Sequence, residues 1–291
     1  MLKVLIALDS SPSAFGAAQH AAELARRGAQ IEAVLLTVQP PIMAGEIGVI
    51  ATAQLAQTER ARVAAEVLGP GCLIMRKAGI PYIEEEVSDS PATAITACAS
   101  RHAADLILMG TRGLSSVKRV VLGSVSKEVL RLTNMPVSLF KSGKIRRLND
   151  PTRLLIAVDG SPSALRAAEY AAKLGRELPR SEVHLLHVRS APTYGGALIS
   201  SRDELIKHWS ATGAEAAFAE PAEMFDRASL ACTLHSEEGE PAACIVKATR
   251  TLGIDLVFIG TRGLGRVASI AIGSVADAVL RQAPVPVTVV R

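Results

Sequence analysis

The sequence predicts an α/β protein made of two tandem domains, each a doubly wound five-stranded parallel sheet with strand order 3-2-1-4-5. Three observations indicate this fold: a length of 291 residues, an internal repeat at an offset of 150, and an alternation of strand-like with helix-like segments. The length is about twice that of a typical single domain. We therefore expect one domain at 1–142, a linker at 143–151 and a second domain at 152–291.

The repeat consists of short motifs that return in register. The segment LIALDSSPSA begins at Leu5, and LIAVDGSPSA begins at Leu155. The tetrapeptide Gly-Thr-Arg-Gly occurs at 110–113 and again at 260–263, and Gly-Ser occurs at 123–124 and 273–274. So many matches at one offset predict that both halves have the same fold.

Hydrophobic spacing predicts the elements of the first copy. An apolar run at Lys3–Leu8 is typical of a buried strand, and Pro12, which follows a serine N-cap, begins a helix that Gly28 ends. The remaining elements are a strand at Ile31–Val38, a helix at Gln54–Lys77 interrupted at Gly69-Pro70-Gly71, a strand at Tyr82–Val87, a helix at Pro91–His102, a strand at Asp105–Met109, a helix at Ser124–Leu132 and a strand at Val137–Lys141. The second copy repeats each step.

Composition and charge argue against several classes of partner. A net charge of +4, with basic and acidic residues interspersed, and an aromatic content of 3% are unlike a nucleic-acid surface. The sequence has no apolar run of about 18 residues and no secretory signal at its N-terminus, so we expect a cytoplasmic protein without membrane contact. The basic segment between the copies is interpreted as a solvated linker.

The cysteines and histidines show no metal-binding spacing. The four cysteines lack CxxC spacing, which favours buried thiols in a reducing compartment. His184 and His187 have HxxH spacing but lie in a predicted strand, where residues three apart face opposite sides. Because the other histidines form no motif, we expect no metal site. The acidic run Glu84–Glu86 is interpreted as the charged face of an edge strand.

Two loops of each copy are predicted to form the functional site. In a doubly wound sheet, ligands bind beyond the carboxyl ends of the strands where the strand order reverses. The loops after strands one and four meet that description, at Asp9 and at Gly110-x2-Gly113-x9-Gly123-Ser124. Glycines allow close backbone approach, and the helix that begins at Ser124 offers free N–H groups to phosphate. The pattern is neither a Walker loop nor GxGxxG.

These residues resemble the universal stress protein family in its tandem form, whose ATP-binding members carry Gly-x2-Gly-x9-Gly-Ser/Thr. The resemblance covers nearly the whole chain and implies a Rossmann-like fold of the adenine nucleotide α-hydrolase type. It implies that Asp9 and Asp159 face the ribose or base and that the backbone at Val38 and Val188 contacts adenine. It implies phosphate contacts by Gly110, Gly113, Gly123, Ser124, Gly260, Gly263, Gly273 and Ser274.

Simpler interpretations stay open for several of these residues. The two aspartates could serve only as charges at helix N-termini, and the glycines could serve only the turn. Arg112 and Arg262 either contact phosphate or lie exposed on the loop. The loop interiors differ between copies, with Lys118-Arg119 in the first and Gly265-Arg266 in the second, so the two sites need not bind equally.

Three functions are compatible with this sequence. The first is an ATP-binding regulator during stress or growth arrest, since the loop has no evident catalytic base. The second is a slow ATPase or nucleotidyl transferase that uses Mg²⁺, and the third is a scaffold with vestigial nucleotide sites. We further expect the final strands, Val137–Lys141 and Val285–Val290, to pair the two copies about a pseudo-two-fold axis, and dimerisation of whole chains stays open in addition.

Overall fold

The structure is a computed structural model that describes residues 1–39, 50–111, 122–141, 150–189, 202–261 and 272–291, with the backbone alone at 50–56 and 202–212. The chain divides into two compact units, Met1–Arg147 and Leu148–Arg291. Within the described residues, no helix has the length and apolar character needed to cross a membrane.

The first unit is a parallel sheet with helices between successive strands. Its elements are β1 Leu2–Leu8, α1 Pro12–Arg26, β2 Ile31–Gln39, α2 Ile50–Ala78, β3 Tyr82–Ser88, α3 Pro91–Arg101, β4 Leu106–Gly110, α4 Ser124–Leu132 and β5 Val137–Phe140. The strand order is β3-β2-β1-β4-β5, and every pair in it is parallel. The predicted fold class and strand order are confirmed for this unit.

The second unit repeats the architecture element by element. It contains β6 Thr152–Ala157, α5 Pro162–Glu177, β7 Ser181–Arg189, α6 Arg202–Arg227, β8 Cys232–Glu238, α7 Pro241–Thr251, β9 Leu256–Gly260, α8 Ser274–Gln282 and β10 Val287–Val290. Its parallel strands have the order β8-β7-β6-β9-β10, which is the same topology. The tandem repeat therefore produces two units of one fold.

The central strands are buried because helices cover both faces of each sheet. Leu5 and Ile6 of β1, like Leu155 and Ile156 of β6, have no exposed surface. This explains why these strands are continuous apolar runs rather than alternating ones. Helix α1 packs on the sheet through small buried residues, which are Ala14, Ala17, Ala18 and Ala21.

Helix α2 differs from the sequence prediction. A break was expected at Gly69-Pro70-Gly71, because proline removes a helical hydrogen bond and glycine favours coil. The structure instead has one helix from Ile50 to Ala78 with Pro70 inside it. A Cβ on Gly71 would lie 2.6 Å from Cδ1 of Leu8. The glycine thus lets the helix pack directly against the end of β1, and this tertiary contact overrides the local preference.

An aspartate hydrogen bond ties the start of β4 to the start of β1. Oδ2 of Asp105 accepts a hydrogen bond of 2.9 Å from the backbone N–H of Lys3. In the second unit, Oδ2 of Asp255 accepts an equivalent bond of 2.9 Å from Arg153. Because the two central strands are tied at one end, their opposite, carboxyl ends are held side by side.

Candidate functional site

The candidate site lies at the carboxyl ends of three neighbouring strands. Leu8 of β1 pairs with Thr37 of β2, so Asp9 and Val38 are the next residues on adjacent strands. On the other side of β1, Ile6 pairs with Leu108, which places Gly110 beside the end of β1. In the second unit, Ala157 pairs with Leu186, which leads to Asp159 and Val188 in the same register. The strand order reverses between β1 and β4, and in this class of fold ligands bind in the crevice beyond the strand ends at such a reversal.

Asp9 and Asp159 form the turns that lead into the first helix of each unit. Oδ1 of Asp9 accepts a hydrogen bond of 3.1 Å from the backbone N–H of Ser11, and Oδ1 of Asp159 accepts one of 2.9 Å from Ser161. Each carboxylate thus has one oxygen held by the turn. Asp9 is exposed and Asp159 is half-buried, so the remaining oxygen can face a ligand at the strand ends.

The N-terminus of the first helix in each unit is capped by a serine side chain. Oγ of Ser11 accepts a hydrogen bond of 3.2 Å from the backbone N–H of Ala14, and Oγ of Ser161 accepts an equal bond from Ala164. Proline occupies the first helical turn in both copies. One free N–H group of each helix end is thus capped by serine, and the proline has no N–H to offer, so this end is a weaker anion site than an uncapped one.

The N-terminus of α4 is different, because glycine stands at its N-cap. Gly123 and Gly273 have extended backbone at this position, and no side chain of the described residues caps either helix. Ser124 and Ser274, the first helical residues, are exposed. An uncapped helix N-terminus offers N–H groups and a partial positive charge to an anion. Of the helix starts that follow strands one and four, only this one lacks a side-chain cap within the part of the chain that the structure describes.

A buried threonine positions that open helix start against the sheet. The N–H of Thr111 donates to the carbonyl of Phe140 at 2.7 Å, and the carbonyl of Thr111 accepts a bond of 2.8 Å from the N–H of Gly123. Thr261 makes the same two bonds, to Val290 at 2.8 Å and from Gly273 at 2.6 Å. The first residue after β4 or β9 therefore fixes the helix start beside the strand ends.

Glycine is required at the end of β4 for packing. A Cβ on Gly110 would lie 2.4 Å from Oγ of Ser13 and 3.0 Å from the backbone N of Ala14. A Cβ on Gly260 would lie 2.5 Å from Oγ of Ser163 and 2.8 Å from the backbone N of Ala164. These glycines allow the first helix to lie close to strand four.

The structure brings together most of the predicted site residues, and the rest lie outside the described residues. In the first unit, Asp9, Val38, Gly110, Gly123 and Ser124 are at one end of the sheet. Their second-unit equivalents have the same arrangement. Arg112, Gly113, Arg262 and Gly263 fall outside the described ranges, as do the linker residues 143–149 and the loop residues Lys118, Arg119, Gly265 and Arg266.

Three further residues of this region were not assigned to the site from the sequence. Thr111 is buried, and its Oγ1 has no hydrogen-bond partner among the described residues. Oγ of Ser126 donates to the carbonyl of Gly110 at 3.0 Å. Nδ1 of His187 lies 2.9 Å from the carbonyl of Val158, immediately before Asp159. The repeated Gly-Thr pair was the available signal for Thr111; the other two residues have no counterpart of the same type in the other copy.

The architecture and the crevice define a class of protein. Two doubly wound parallel units, each with an aspartate and an open helix N-terminus at the switch point, make this a tandem α/β protein of the Rossmann-like type. The chain belongs to the universal stress protein family. The sequence model of the Universal stress protein family matches it twice, at residues 1–141 and 151–291.

Individual relatives agree with this assignment. A universal stress protein of Mycolicibacterium smegmatis is 26% identical over 99% of this chain and 96% of its own length. One of Methanocaldococcus jannaschii is 29% identical over 48% of this chain and 81% of its own length. The crystal structure of a universal stress protein from Archaeoglobus fulgidus covers 99% of this chain and 96% of its own, with 25% identity and a TM-score of 0.67.

Proposed function

We propose that this protein binds ATP in the crevice of one or both units and acts as a nucleotide-dependent regulator in stress or growth arrest. The observation that carries the proposal is the uncapped N-terminus of α4 beside the ends of β1 and β4, repeated at α8. The proposed contacts are those of the phosphates with the glycine loop and helix start, of the ribose with Asp9 or Asp159, and of adenine with the backbone at Val38 or Val188.

The contrast between the two helix starts supports an anionic ligand. Helix α1 has a serine cap and α4 has no side-chain cap among the described residues, although both begin at the same end of the sheet. An uncapped helix end leaves backbone donors that a phosphate satisfies, and each such contact is charge-assisted. A nucleotide fits because the phosphate donors and a carboxylate able to accept from ribose hydroxyls lie on adjacent strand ends.

The test adds one negative charge at the helix start. Ser124→Asp and Ser274→Asp place a carboxylate on an exposed first-turn residue, where it favours the helix dipole but repels phosphate. We expect about tenfold weaker ATP binding at the altered site, measured by equilibrium dialysis with labelled ATP. The single variants report which unit is occupied, and the double variant weakens both sites.

A matched control separates repulsion at the site from a general effect of charge. Ser100→Asp adds the same charge to an exposed residue in the last turn of α3, at the opposite end of the sheet. ATP binding by this variant should equal that of the unaltered protein. If the Ser124→Asp/Ser274→Asp double variant also binds ATP normally, the assigned phosphate site is wrong. Release of ADP or AMP from Mg-ATP over hours would instead support the enzymatic alternative.

A further inference from the structure

A second polar cluster lies in the first unit on the outer strand β3 and the following helix α3, apart from the crevice. It consists of Glu85, Cys98 and His102, one ligand atom of each lying within 4.8 Å of the others. Oε2 of Glu85 is 3.5 Å from Sγ of Cys98 and 2.6 Å from Nε2 of His102. The sequence showed no metal-binding spacing here because the glutamate is separated from the other two residues by the strand-to-helix turn.

Local structure explains how the three side chains converge. Cys98 and His102 are four residues apart at the end of α3, where such residues lie on the same face of a helix. The backbone N–H of His102 donates to the carbonyl of Cys98 at 3.0 Å, which fixes the helix cap. Glu85 projects from the middle of β3 toward this face.

We propose that Glu85, Cys98 and His102 form a binding site for a divalent transition metal of the zinc type. Thiolate, imidazole and carboxylate are the three ligand types that Zn²⁺ takes in proteins, and a set of three leaves a fourth position for water or another ligand. This site is separate from the nucleotide crevice, and the proposal does not depend on ATP binding.

Two of the three ligand-atom separations can be compared with those of a tetrahedral site, and the third, between Cys98 and His102, is at most 4.8 Å. Bond lengths of zinc to sulfur, nitrogen and oxygen require ligand atoms to lie about 3.4 to 3.6 Å apart. The 3.5 Å separation of Glu85 from Cys98 already meets this requirement. The 2.6 Å contact between Glu85 and His102 must open by roughly 0.8 Å to reach it.

Burial gives the cluster a closed base and an open outer side. Cys98 is 1% exposed, whereas the side chains of Glu85 and His102 are 21% and 23% exposed. A metal can therefore enter from solvent and reach a buried sulfur. Burial also raises the pKa of the Cys98 thiol to about 11, so the metal-free thiol is a weak nucleophile rather than a reactive one.

Arg101 completes the surroundings of the site. Its Nη2 donates to Oε1 of Glu85, while Oε2 is the oxygen that faces Cys98 and His102. Outer partners of this kind hold a ligating carboxylate in one orientation. As the Zn–S bond forms, the thiol proton is released to solvent, and the two anionic ligands then neutralise the metal charge.

The second unit lacks this cluster. Equivalent positions there hold His235, Ala248 and Leu252, with Thr251 in place of Arg101. Nε2 of His235 instead lies 3.0 Å from Nδ1 of His184 on the neighbouring strand. The repeat therefore provides an internal comparison, with three ligands assembled in one copy and two histidines in the other.

The test is titration of untagged, reduced, chelator-treated full-length protein with Co²⁺, whose thiolate charge-transfer absorption reports sulfur ligation. We expect one equivalent of Co²⁺ to produce this band and Zn²⁺ to abolish it. Cys98→Ala should remove the band. His102→Leu, which introduces the residue found in the second copy, should weaken binding by at least about 100-fold. Cys244→Ala alters a buried thiol of the second unit and should leave the titration unchanged.

Each result decides for or against the site. A protein that gives no thiolate band at millimolar Co²⁺, or one that keeps the band in Cys98→Ala, overturns the proposal. Circular dichroism checks that the variants are folded. If Cys98→Ala does not fold, the test rests on His102→Leu, because the side chain of His102 is partly exposed. Co²⁺ binding by His102→Leu as tight as that of the unaltered protein would then refute the assignment.

Discussion

The two copies share the backbone contacts that shape the crevice and differ in the side chains around it. Both have the aspartate turn, the serine cap of the first helix and the threonine bridge to the open helix start. Both also have the aspartate that ties strand four to strand one. The contacts that both copies keep are those that the fold requires, and the side chains that differ are those that each unit can vary.

The differences cluster on the first helix, the rim and the outer strand. Ser10 has φ +62° where Gly160 has φ +77°, and buried His20 is replaced by Tyr170. At the rim, buried Thr37 corresponds to His187, whose ring contacts Phe218 with centroids 6.0 Å apart. These positions do not set the strand order, so they are where the two units can acquire different ligand preferences or stabilities.

The largest expected effect tests a packing contact that both copies share, at Gly110 and Gly260. Gly110→Ala and Gly260→Ala each place a Cβ within 3 Å of a serine side chain and against the backbone of the first helix. We expect each to lower the free energy of unfolding of its own unit by about 3 kcal/mol, measured by urea denaturation. Gly69→Ala is the control, because a Cβ there meets nothing within 4 Å and helix propensity favours alanine. If only one of the two glycine variants lowered the free energy of unfolding, Gly110 and Gly260 would not have equivalent roles.

The next prediction concerns the pH dependence of stability, to which His20 contributes in the first copy only. Burial lowers the pKa of His20 from 6.5 to about 4, so between these pH values the unfolded chain binds a proton that the native unit does not. Stability therefore falls as pH decreases from 6.5 to 4, by about 3 kcal/mol from this group at the lower limit. His20→Tyr, which introduces the second copy's residue, should remove this part of the pH dependence. Urea denaturation of both proteins between pH 7 and pH 4 measures it, and parallel curves would show that His20 is not responsible.

The smallest effect comes from exchanging one turn residue between copies. Gly160→Ser should destabilise the second unit by about 1 kcal/mol, because a side chain is strained at positive φ while nothing lies within 4 Å of the added Cβ. Ser10→Gly should relieve the same strain and stabilise the first unit by less, since glycine also gains freedom in the unfolded chain. Thermal unfolding of both variants checks the signs. Equal signs would show that the two turns differ in more than their residue type.

Local sequence was sufficient to place much of the candidate site at the carboxyl ends of the strands. Asp9, Gly110, Gly123 and Ser124 were predicted because their positions relative to strand ends and helix starts are visible in the chain, and the second copy confirms the register. The predicted elements match the observed ones within one or two residues wherever both ends are described, apart from α2. The break expected at Gly69-Pro70-Gly71 was wrong, because the contact of Gly71 with Leu8 is not encoded nearby.

The sequence by itself determined the duplication, the parallel α/β class and the end of the sheet that carries the candidate site. The duplication follows from the repeat at an offset of 150. The class and the placement of the loops follow from hydrophobic periodicity and capping signals, which act over a few neighbouring residues. Tertiary structure alone decided which side chains meet across elements. The Glu85, Cys98 and His102 cluster and the pairing of His184 with His235 depend on strand register and helix placement, which no local spacing records.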